Sequence, residues 1–163
     1  MIVRKATLAD LQPILQVISD AKQKMRRTGN MKQWTDGYPS AKVILADIDA
    51  GHGYVCLQED GTIGGYYAMI PGAEPTYAKI YEGEWLNDAP YITIHRIASG
   101  ADAKGVFGAM LQEASSLINN IRIDTHRDNA IMQHVLEKHG FVYCGIIYLL
   151  SGDDRLAFQK IIR

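Results

Sequence analysis

The stretch from residue 91 to residue 124 constrains the fold most, because it combines a strand, a loop of small residues, a helix and a second strand. Tyr91–Ala98 is typical of a strand, and residues 106–118 place apolar side chains at helical spacing before a strand over Ile121–Asp124. A crossover through a helix makes its two strands parallel and is almost always right-handed. The unit therefore predicts one parallel strand pair.

Hairpins precede and follow this unit. Residues 54–58 and 62–70 flank an Asp60-Gly61 turn, which is a strong hairpin signal. Residues 141–150 and 155–162 are predicted to form a second hairpin near the end of the chain. Both hairpins are antiparallel, so most of the predicted sheet is antiparallel.

Three further helices complete the predicted fold. The first is expected to begin after Asp10, which Pro13 favours over Thr7 as the capping residue, because Pro13 then lies in the first turn. The others are expected after Ser40 and after Asp128. The elements predict an α+β fold with a mixed, mostly antiparallel central sheet, one parallel strand pair and helices on both faces.

The composition is that of one globular domain spanning residues 1–163, with 47% hydrophobic residues and a net charge of −1. This charge balance gives no reason to expect nucleic acid as a partner. No apolar run is long enough for a membrane helix, and Cys56 and Cys144 lie in strand-like runs without a nearby second cysteine. We therefore expect a cytoplasmic protein with two buried free thiols, no membrane partner, and no metal site.

The loop between Ser99 and Gly108 ends a strand and opens a helix, where free main-chain N–H groups favour a phosphate. Gly100 and Gly105 have the spacing that begins a P-loop, but Val106-Phe107 replaces its Lys-Ser/Thr pair. Binding of a nucleoside triphosphate is therefore not expected. A phosphate site and a merely tight connection both remain consistent with this loop.

Three stretches carry a resemblance to a known family: Ile94–Ala98 before the loop, Ala103–Gly105 opening the third helix, and Asp128–Phe141, which includes Glu-Lys-His-Gly-Phe. With the order of predicted elements over nearly the whole chain, they resemble the GNAT superfamily of acyl-CoA N-acyltransferases. The resemblance implies a GNAT-like sheet whose parallel strands splay apart. It also implies an enzyme that moves an acetyl group from acetyl-CoA to an amine of a small molecule or peptide by direct transfer.

The resemblance also implies which residues hold acetyl-CoA. Backbone groups of the strand end would pair with the pantetheine arm, main-chain amides of the following turn would hold the diphosphate, and an asparagine of the fourth helix would bond the cofactor arm. In that order, the residues are Ile97, Ala98 and Ser99; Lys104, Gly105, Val106, Phe107 and Gly108; and Asn129. Phe107 departs from the family's small residue, and binding requires its ring to point into the core.

Two residues are candidates for proton transfer. An amine with a pKa near ~10 is mostly protonated at neutral pH, so a base must take its proton, and His95 lies in the strand that would face the splay. Many family members place a tyrosine where this chain has Leu136, and Tyr148 on the next strand is the candidate substitute acid. An ordinary sheet histidine and an ordinary strand tyrosine are the alternative interpretations.

The acceptor is expected to bind between the variable loops. Trp34, Asp36 and Tyr38, between the first two helices, combine aromatic walls with one anion, and Tyr77 on the mid-chain loop could close over them. Large aromatic residues also fill gaps between helices and sheet, and for Trp34 both interpretations stand.

Two rival functions remain open on the sequence. One is a non-catalytic acyl-CoA-binding module of the same fold, with Phe107 and Leu136 as signs of lost catalysis, and the other is an interaction domain that binds no CoA. The acceptor amine, the length of the acyl group and the oligomeric state are not determined. Homodimers through the last strands are common in folds of this kind.

Overall fold

The computed structural model describes residues 1–163 and contains one sheet of seven strands. The strands in chain order are β1 (Ile2–Lys5), β2 (Gly53–Leu57), β3 (Ile63–Pro71), β4 (Ile92–Ser99), β5 (Asn120–Thr125), β6 (Val142–Tyr148) and β7 (Asp154–Ile161). The helices are α1 (Leu11–Arg27), α2 (Ala41–Asp49), α3 (Val106–Leu117) and α4 (Ala130–Lys138). None of these helices combines the length and the apolar character needed to cross a membrane.

The strands lie side by side in the order β1-β2-β3-β4-β5-β7-β6. Only β4 and β5 are parallel, and every other neighbouring pair is antiparallel. The helix α3 connects the two parallel strands, as the strand–helix–strand pattern requires. The predicted fold class, a mixed and mostly antiparallel sheet with one parallel pair, is confirmed.

Both faces of the sheet are covered because β2 and β3 are apolar on both sides. Tyr66 lies among residues of α1 and α2, such as Ile14 and Ile44, and all three are fully buried. Its neighbour Tyr67 points to the opposite face, as successive strand residues do, and lies in the cluster that contains Met110 of α3. The two cores hold the sheet between α1 and α2 on one side and α3 and α4 on the other.

The helix starts differ in part from the prediction. The Ser40 hydroxyl accepts the N–H of Val43 at 3.3 Å, as expected of a cap. The prediction for α4 was wrong: its cap is Asn129, whose side-chain oxygen accepts the N–H of Met132 at 3.0 Å. Asp128 lies one residue too early, and its carboxylate lies 3.7 Å from the ring of His126 instead.

The residue predicted to cap α1 has another partner. Asp10 precedes the helix, but its carboxylate bonds no amide of α1. It accepts the N–H of Thr7 at 2.8 Å and two hydrogen bonds from the Arg4 guanidinium, at 2.7 and 2.9 Å. The side chain therefore fastens β1 to the turn that precedes the helix.

The start of α3 lies unusually close to β3. A Cβ added at Gly65 would lie only 2.7 Å from both terminal carbons of Val106, the first residue of α3. The preceding loop is fixed to the same strand, because the Gly100 N–H donates to the Gly64 carbonyl at 2.9 Å. The glycines of β3 therefore let the helix N-terminus approach the sheet.

A buried polar network fixes the long segment between β3 and β4. The side-chain amide of Asn120 donates to the Asn87 side chain at 3.0 Å, and Gln159 donates to Asn120 at 2.7 Å. The Arg122 guanidinium donates to the Asn87 carbonyl at 2.7 Å and lies between the rings of Trp85 and Tyr91, 4.1 Å from each. The segment is thereby fastened to β5 and β7.

The close approach at Gly65 predicts a specific loss of stability. In the Gly65→Ala variant the new methyl group must displace Val106, which is stiff because it is branched at Cβ. We expect the free energy of unfolding in urea to fall by about 1–3 kcal/mol.

Gly108→Ala is the matched control, because a Cβ at that helical position meets no atom within 4 Å. Alanine favours a helix over glycine, so the free energy of unfolding should stay the same or rise by up to about 1 kcal/mol. Equal losses in the two variants would contradict the proposed contact.

Candidate active site

The pairing of β4 with β5 stops after two residue pairs. Ile92 pairs with Ile121 and Thr93 with Arg122, whereas β4 continues to Ser99 and β5 to Thr125. A cavity of about 590 Å³ opens where the strands part, and residues 94–97 and 123–125 line it. The splay of the parallel pair is therefore present, and it leaves the facing main-chain groups without a strand partner.

A buried hydroxyl group marks the inner surface of this cavity. Thr125 lines the cavity and is 1% exposed, yet its hydroxyl oxygen has no hydrogen-bond partner. A buried polar group without a partner costs about 1–3 kcal/mol. A ligand with a polar group at this position would remove that cost.

A bulge in β4 aims three consecutive residues at the cavity. The pairing with β3 shifts by one residue beside His95, Arg96 and Ile97, and Arg96 has a φ of +57°. A bulge re-aims side chains in this way, and a positive φ persists in a non-glycine residue only when its surroundings hold it.

The buried carboxylate of Asp47 on α2 holds the bulge. It accepts two hydrogen bonds from the Arg96 guanidinium, at 2.8 and 2.6 Å, and one from the Tyr66 hydroxyl at 2.6 Å. Arg96 also donates to the Tyr38 hydroxyl at 3.0 Å. The charge of Arg96 is thus committed to Asp47, although its side chain lines the cavity.

His95 shares the cavity with two acidic side chains, Glu74 and Asp124. Its side chain is 22% exposed, and its Nε2 atom lies 3.8 Å from a carboxylate oxygen of Glu74. Burial lowers the pKa of His95 below its ordinary value, and the charges of Asp124 and Glu74 oppose this only in part. The imidazole is therefore neutral at neutral pH and can accept a proton.

Tyr77 lies behind the cavity rather than on its surface. It is 1% exposed, and its hydroxyl donates to the Asp124 carboxylate at 2.6 Å. Burial, and then the charge of Asp124, raise the pKa of Tyr77 well above its ordinary value, so the hydroxyl stays protonated. Tyr77 fixes Asp124 in place and does not reach the acceptor side.

The loop between α1 and α2 contributes part of the predicted acceptor surface. Trp34 and Tyr38 line the cavity, whereas Asp36 is exposed and does not. The loop is held by Arg26, which donates to the carbonyls of Asn30, Gln33 and Trp34 at 2.9 Å each. Two of the three predicted residues are therefore placed together on the cavity.

The N-terminus of α3 presents free amides beside β4. Gly105 is the residue before the helix, with a φ of +85°, and its carbonyl accepts the first helical hydrogen bond, from the Ala109 N–H at 3.0 Å. The amides of residues 106–108 precede that bond and therefore lack a partner within the helix. Lys104 and Gly108 are exposed at the same end.

The ring of Phe107 points away from this turn. The residue is 9% exposed, and its ring packs against those of His139 and Phe141, with centroids 4.8 and 6.0 Å away. The side chain belongs to the core between α3 and the end of α4.

A second, smaller cavity adjoins the first. It measures about 150 Å³ and extends from Ile97 and Ser99 of β4 to Phe107 and α4. Four residues line both cavities: Met25, Ile97, Asn129 and Met132. A continuous concave surface thus runs from His95 toward the start of α3.

Asn129 lies at the junction of the two cavities, with both side-chain polar groups in use. Its oxygen caps α4, and its nitrogen donates to the Gln33 side chain at 3.0 Å. Tyr148, in contrast, is 45% exposed, packs edge-on against Tyr81 and lines neither cavity. The structure does not bring Tyr148 to His95.

The sequence prediction missed four residues that line the same cavity as His95: Glu74, Arg96, Asp124 and Thr125. Arg96 carried a local signal, because it interrupts an apolar strand beside His95. Asp124 ended a predicted strand that faces the first one, and Thr125 followed it directly. Glu74 carried no signal, since its position depends on how the long segment before β4 folds back.

Comparison with solved structures places this geometry in a known group, although neither a search with protein-family models nor a search of curated proteins finds a match. An acetyltransferase of the GNAT family from Streptococcus agalactiae is 37% identical, with a TM-score of 0.91, over 99% of this chain and 95% of that chain.

Two more distant structures are similar in fold alone. A GNAT-family acetyltransferase from Listeria monocytogenes is 20% identical, with a TM-score of 0.69, over 99% of this chain and 94% of that chain. A ribosomal-protein-alanine N-acetyltransferase from Brucella melitensis is 17% identical, with a TM-score of 0.65, over 99% of this chain and 100% of that chain.

Removal of the Asp47 carboxylate should destabilise the fold strongly. The Asp47→Ala variant leaves the Arg96 guanidinium, which is 13% exposed, without its anion. Breaking a buried pair in this way costs about 3–5 kcal/mol, which urea denaturation at pH 7 would measure. Asp49→Ala, at an exposed position of the same helix, should change the free energy of unfolding by no more than about 0.5 kcal/mol. Similar small changes in both variants would refute the anchoring role of Asp47.

Proposed function

The chain belongs to the GNAT family of acetyltransferases, and we propose that it transfers an acetyl group from acetyl-CoA directly to an amine of a small molecule or peptide. The observation that carries the proposal is the gap between β4 and β5, with a neutral histidine on one side and a free helix N-terminus on the other. An acetyl acceptor and a phosphate-bearing donor would meet there.

The residues around the gap fit acetyl-CoA. The main chain of Ile97, Ala98 and Ser99 would pair with the pantetheine arm, since β5 has parted from β4 at these residues. The unpartnered Thr125 hydroxyl lies on the same surface, and the side-chain nitrogen of Asn129, which donates one hydrogen to Gln33, has a second one to donate. A polar, extended ligand would therefore find partners along this path.

The start of α3 would hold the diphosphate. The free amides of residues 106–108 and the positive end of the helix dipole favour an anion, and the exposed Lys104 and Gly105 lie at the same turn. The close packing of Val106 on Gly65 holds these amides beside the end of β4. Phe107 contributes its main chain only, because its ring is buried in the core.

Acetyl-CoA supplies an acetyl group activated as a thioester, and this chain's residues prepare the amine. The neutral ring of His95 takes a proton from the amine, directly or through water. The nitrogen–carbon bond would then form as the carbon–sulfur bond breaks, and the second proton of the nitrogen would pass to the departing thiolate or to water, so no covalent bond to the enzyme is needed. The carboxylates of Glu74 and Asp124 stabilise the imidazolium that results.

The leaving sulfur has no acid assigned to it. Leu136 is fully buried at the position where many family members carry a tyrosine, and Tyr148 lies outside both cavities. A thiol has a reference pKa of about 8.5, so the thiolate is a fair leaving group on its own. The buried Leu136 is the one observation that favours a non-catalytic acyl-CoA-binding module.

A two-stage assay distinguishes these functions. Acetyl-CoA should raise the melting temperature, and release of free thiol should follow when an amine panel is added. Stabilisation without turnover across broad panels of small amines and peptides would favour the non-catalytic module. Absence of stabilisation by both acetyl-CoA and CoA would refute the proposed function.

A carboxylate at the helix N-terminus should weaken cofactor binding. Position 108 is exposed and has room for a side chain, so Gly108→Asp places a negative charge beside the expected diphosphate. We expect the Kd for CoA to rise at least about tenfold, or about 1.4 kcal/mol, in calorimetry.

The fold should tolerate this charge, because acidic residues favour the first turn of a helix. Gly108→Asn, which is similar in size but uncharged, should lose less affinity than Gly108→Asp. An unchanged Kd in Gly108→Asp would mean that the diphosphate lies elsewhere.

The protonation of His95 should determine the acidic limb of the pH profile of kcat/KM. Only neutral His95 can accept a proton, so kcat/KM should rise with pH through the His95 pKa and level off above it. Because burial lowers that pKa, the midpoint should lie below about 6.5.

The His95→Gln variant should lose this limb and about 10²-fold or more in kcat/KM. A thermal shift with acetyl-CoA would check that the variant still folds and binds the cofactor. An acidic limb that is identical in the variant would exclude His95 as the base.

A further inference from the structure

The acceptor cavity contains a cation that no protein carboxylate neutralises. Arg155, at the start of β7, is half-buried and lines the cavity. Its guanidinium makes one hydrogen bond, to the carbonyl of Asp154 at 2.8 Å, and no carboxylate lies within 4 Å of it. The Asp154 carboxylate is occupied by Arg127 on the outside.

The other charged groups that line the cavity either have a partner of opposite charge, lie close to His95 or are exposed at the rim. Arg96 is neutralised by Asp47, and the two anions that act most strongly on His95 are Asp124 and Glu74. Two further residues, Lys32 and Asp153, are exposed at the rim and carry opposite charges. Arg155 is therefore the half-buried cation that lacks an anion.

The strand register places Arg155 near the reacting end of the cavity. Asp124 on β5 pairs with Ala157 on β7, and Arg155 lies two residues earlier on the same face. Diagonal neighbours of this kind are about 7–8 Å apart at the backbone, within reach of a long side chain. The cavity thus has carboxylates around His95 and a guanidinium one step along the sheet.

This charge arrangement matches a molecule that is itself charged at both ends. We propose that the acetyl acceptor is a free amino acid, or a small amino carboxylic acid, whose ammonium lies by Glu74 and Asp124 and whose carboxylate binds Arg155. The inference rests on the acetyl transfer proposed above and names its substrate class. A guanidinium binds a carboxylate through two parallel hydrogen bonds, which makes it selective for that group.

Other amines fit less well. A simple alkylamine would leave Arg155 without an anion, and a polyamine would bring a second cation toward it. The terminal amine of a longer peptide carries an amide where the carboxylate would be. A cavity of about 590 Å³ suits a ligand of small-molecule size.

Matched acceptors test the inference directly. Several amino acids and their carboxamides share the amine and side chain and differ only in the carboxylate. We expect kcat/KM for thiol release to be at least about tenfold higher for the acids. The amine of a carboxamide is less protonated at pH 7, which favours the carboxamides as acceptors. This difference therefore cannot produce the expected preference for the acids.

Variants at two positions distinguish a specific contact between Arg155 and the carboxylate from a general effect of positive charge in the cavity. Arg155→Gln should bring the acid-to-amide ratio close to one, and Arg155→Lys should keep part of it, while both still show a thermal shift with acetyl-CoA. Lys32→Gln removes an exposed cation from the rim and should keep the ratio of the wild type.

The outcomes for the two proposals are distinguishable. Equal turnover of acids and amides would overturn the amino acid assignment and leave acetyl transfer intact. If neither the acids nor the amides are turned over, binding of the acids is measured by calorimetry in the presence of CoA. Binding to the wild type but not to Arg155→Gln would support the amino acid assignment. Absence of such binding overturns it. A wild type that binds neither acetyl-CoA nor CoA would instead refute the acetyl transfer itself.

Discussion

The short pairing between β4 and β5 is the constraint on which the rest of the site depends. Hydrogen bonding between the two strands ends at Thr93 and Arg122, so the main-chain groups beyond them face a cavity instead of a neighbour. Unpaired main-chain groups are costly when buried, and a sheet would normally close such a gap. The gap persists because each strand is fastened on its far side. Asp47 holds the bulge of β4 through Arg96, and β5 pairs along its whole length with β7.

The same anchoring determines the charge state of the cavity. Asp47 neutralises Arg96, so that cation is committed outside the space where a substrate would lie. The Tyr77 hydroxyl only fixes the position of Asp124, which keeps its charge. His95 remains neutral because burial disfavours its charged form. The carboxylates of Glu74 and Asp124 attract an ammonium ion, and the neutral ring of His95 can accept its proton. The uncompensated guanidinium of Arg155 adds the opposite preference one step along the sheet.

A phosphate site made of main-chain amides can persist when a side chain changes, even where that change breaks the sequence motif of the family. The turn before α3 departs from the family pattern at Phe107, yet the amides of residues 106–108 remain free at the start of the helix. The ring is accommodated between His139 and Phe141, and so it fills the core instead of the turn. The departure at Leu136 is different in kind, because the tyrosine that many family members carry at this position would itself take part in the chemistry.

The sequence by itself determined the order of the elements, the parallel pair, the free turn before α3 and the presence of a histidine in β4. These features depend on local periodicity and on turn residues, which a short stretch of chain encodes. Only the tertiary structure decided where the two strands part, that Tyr77 is buried behind Asp124, and that Tyr148 lies outside the cavity. Those features arise from contacts between distant residues: Asp47 and Arg96 are 49 positions apart, and Tyr77 and Asp124 are 47 apart. No local pattern records such a pairing, since each partner alone is an ordinary polar residue of a helix, a strand or a loop.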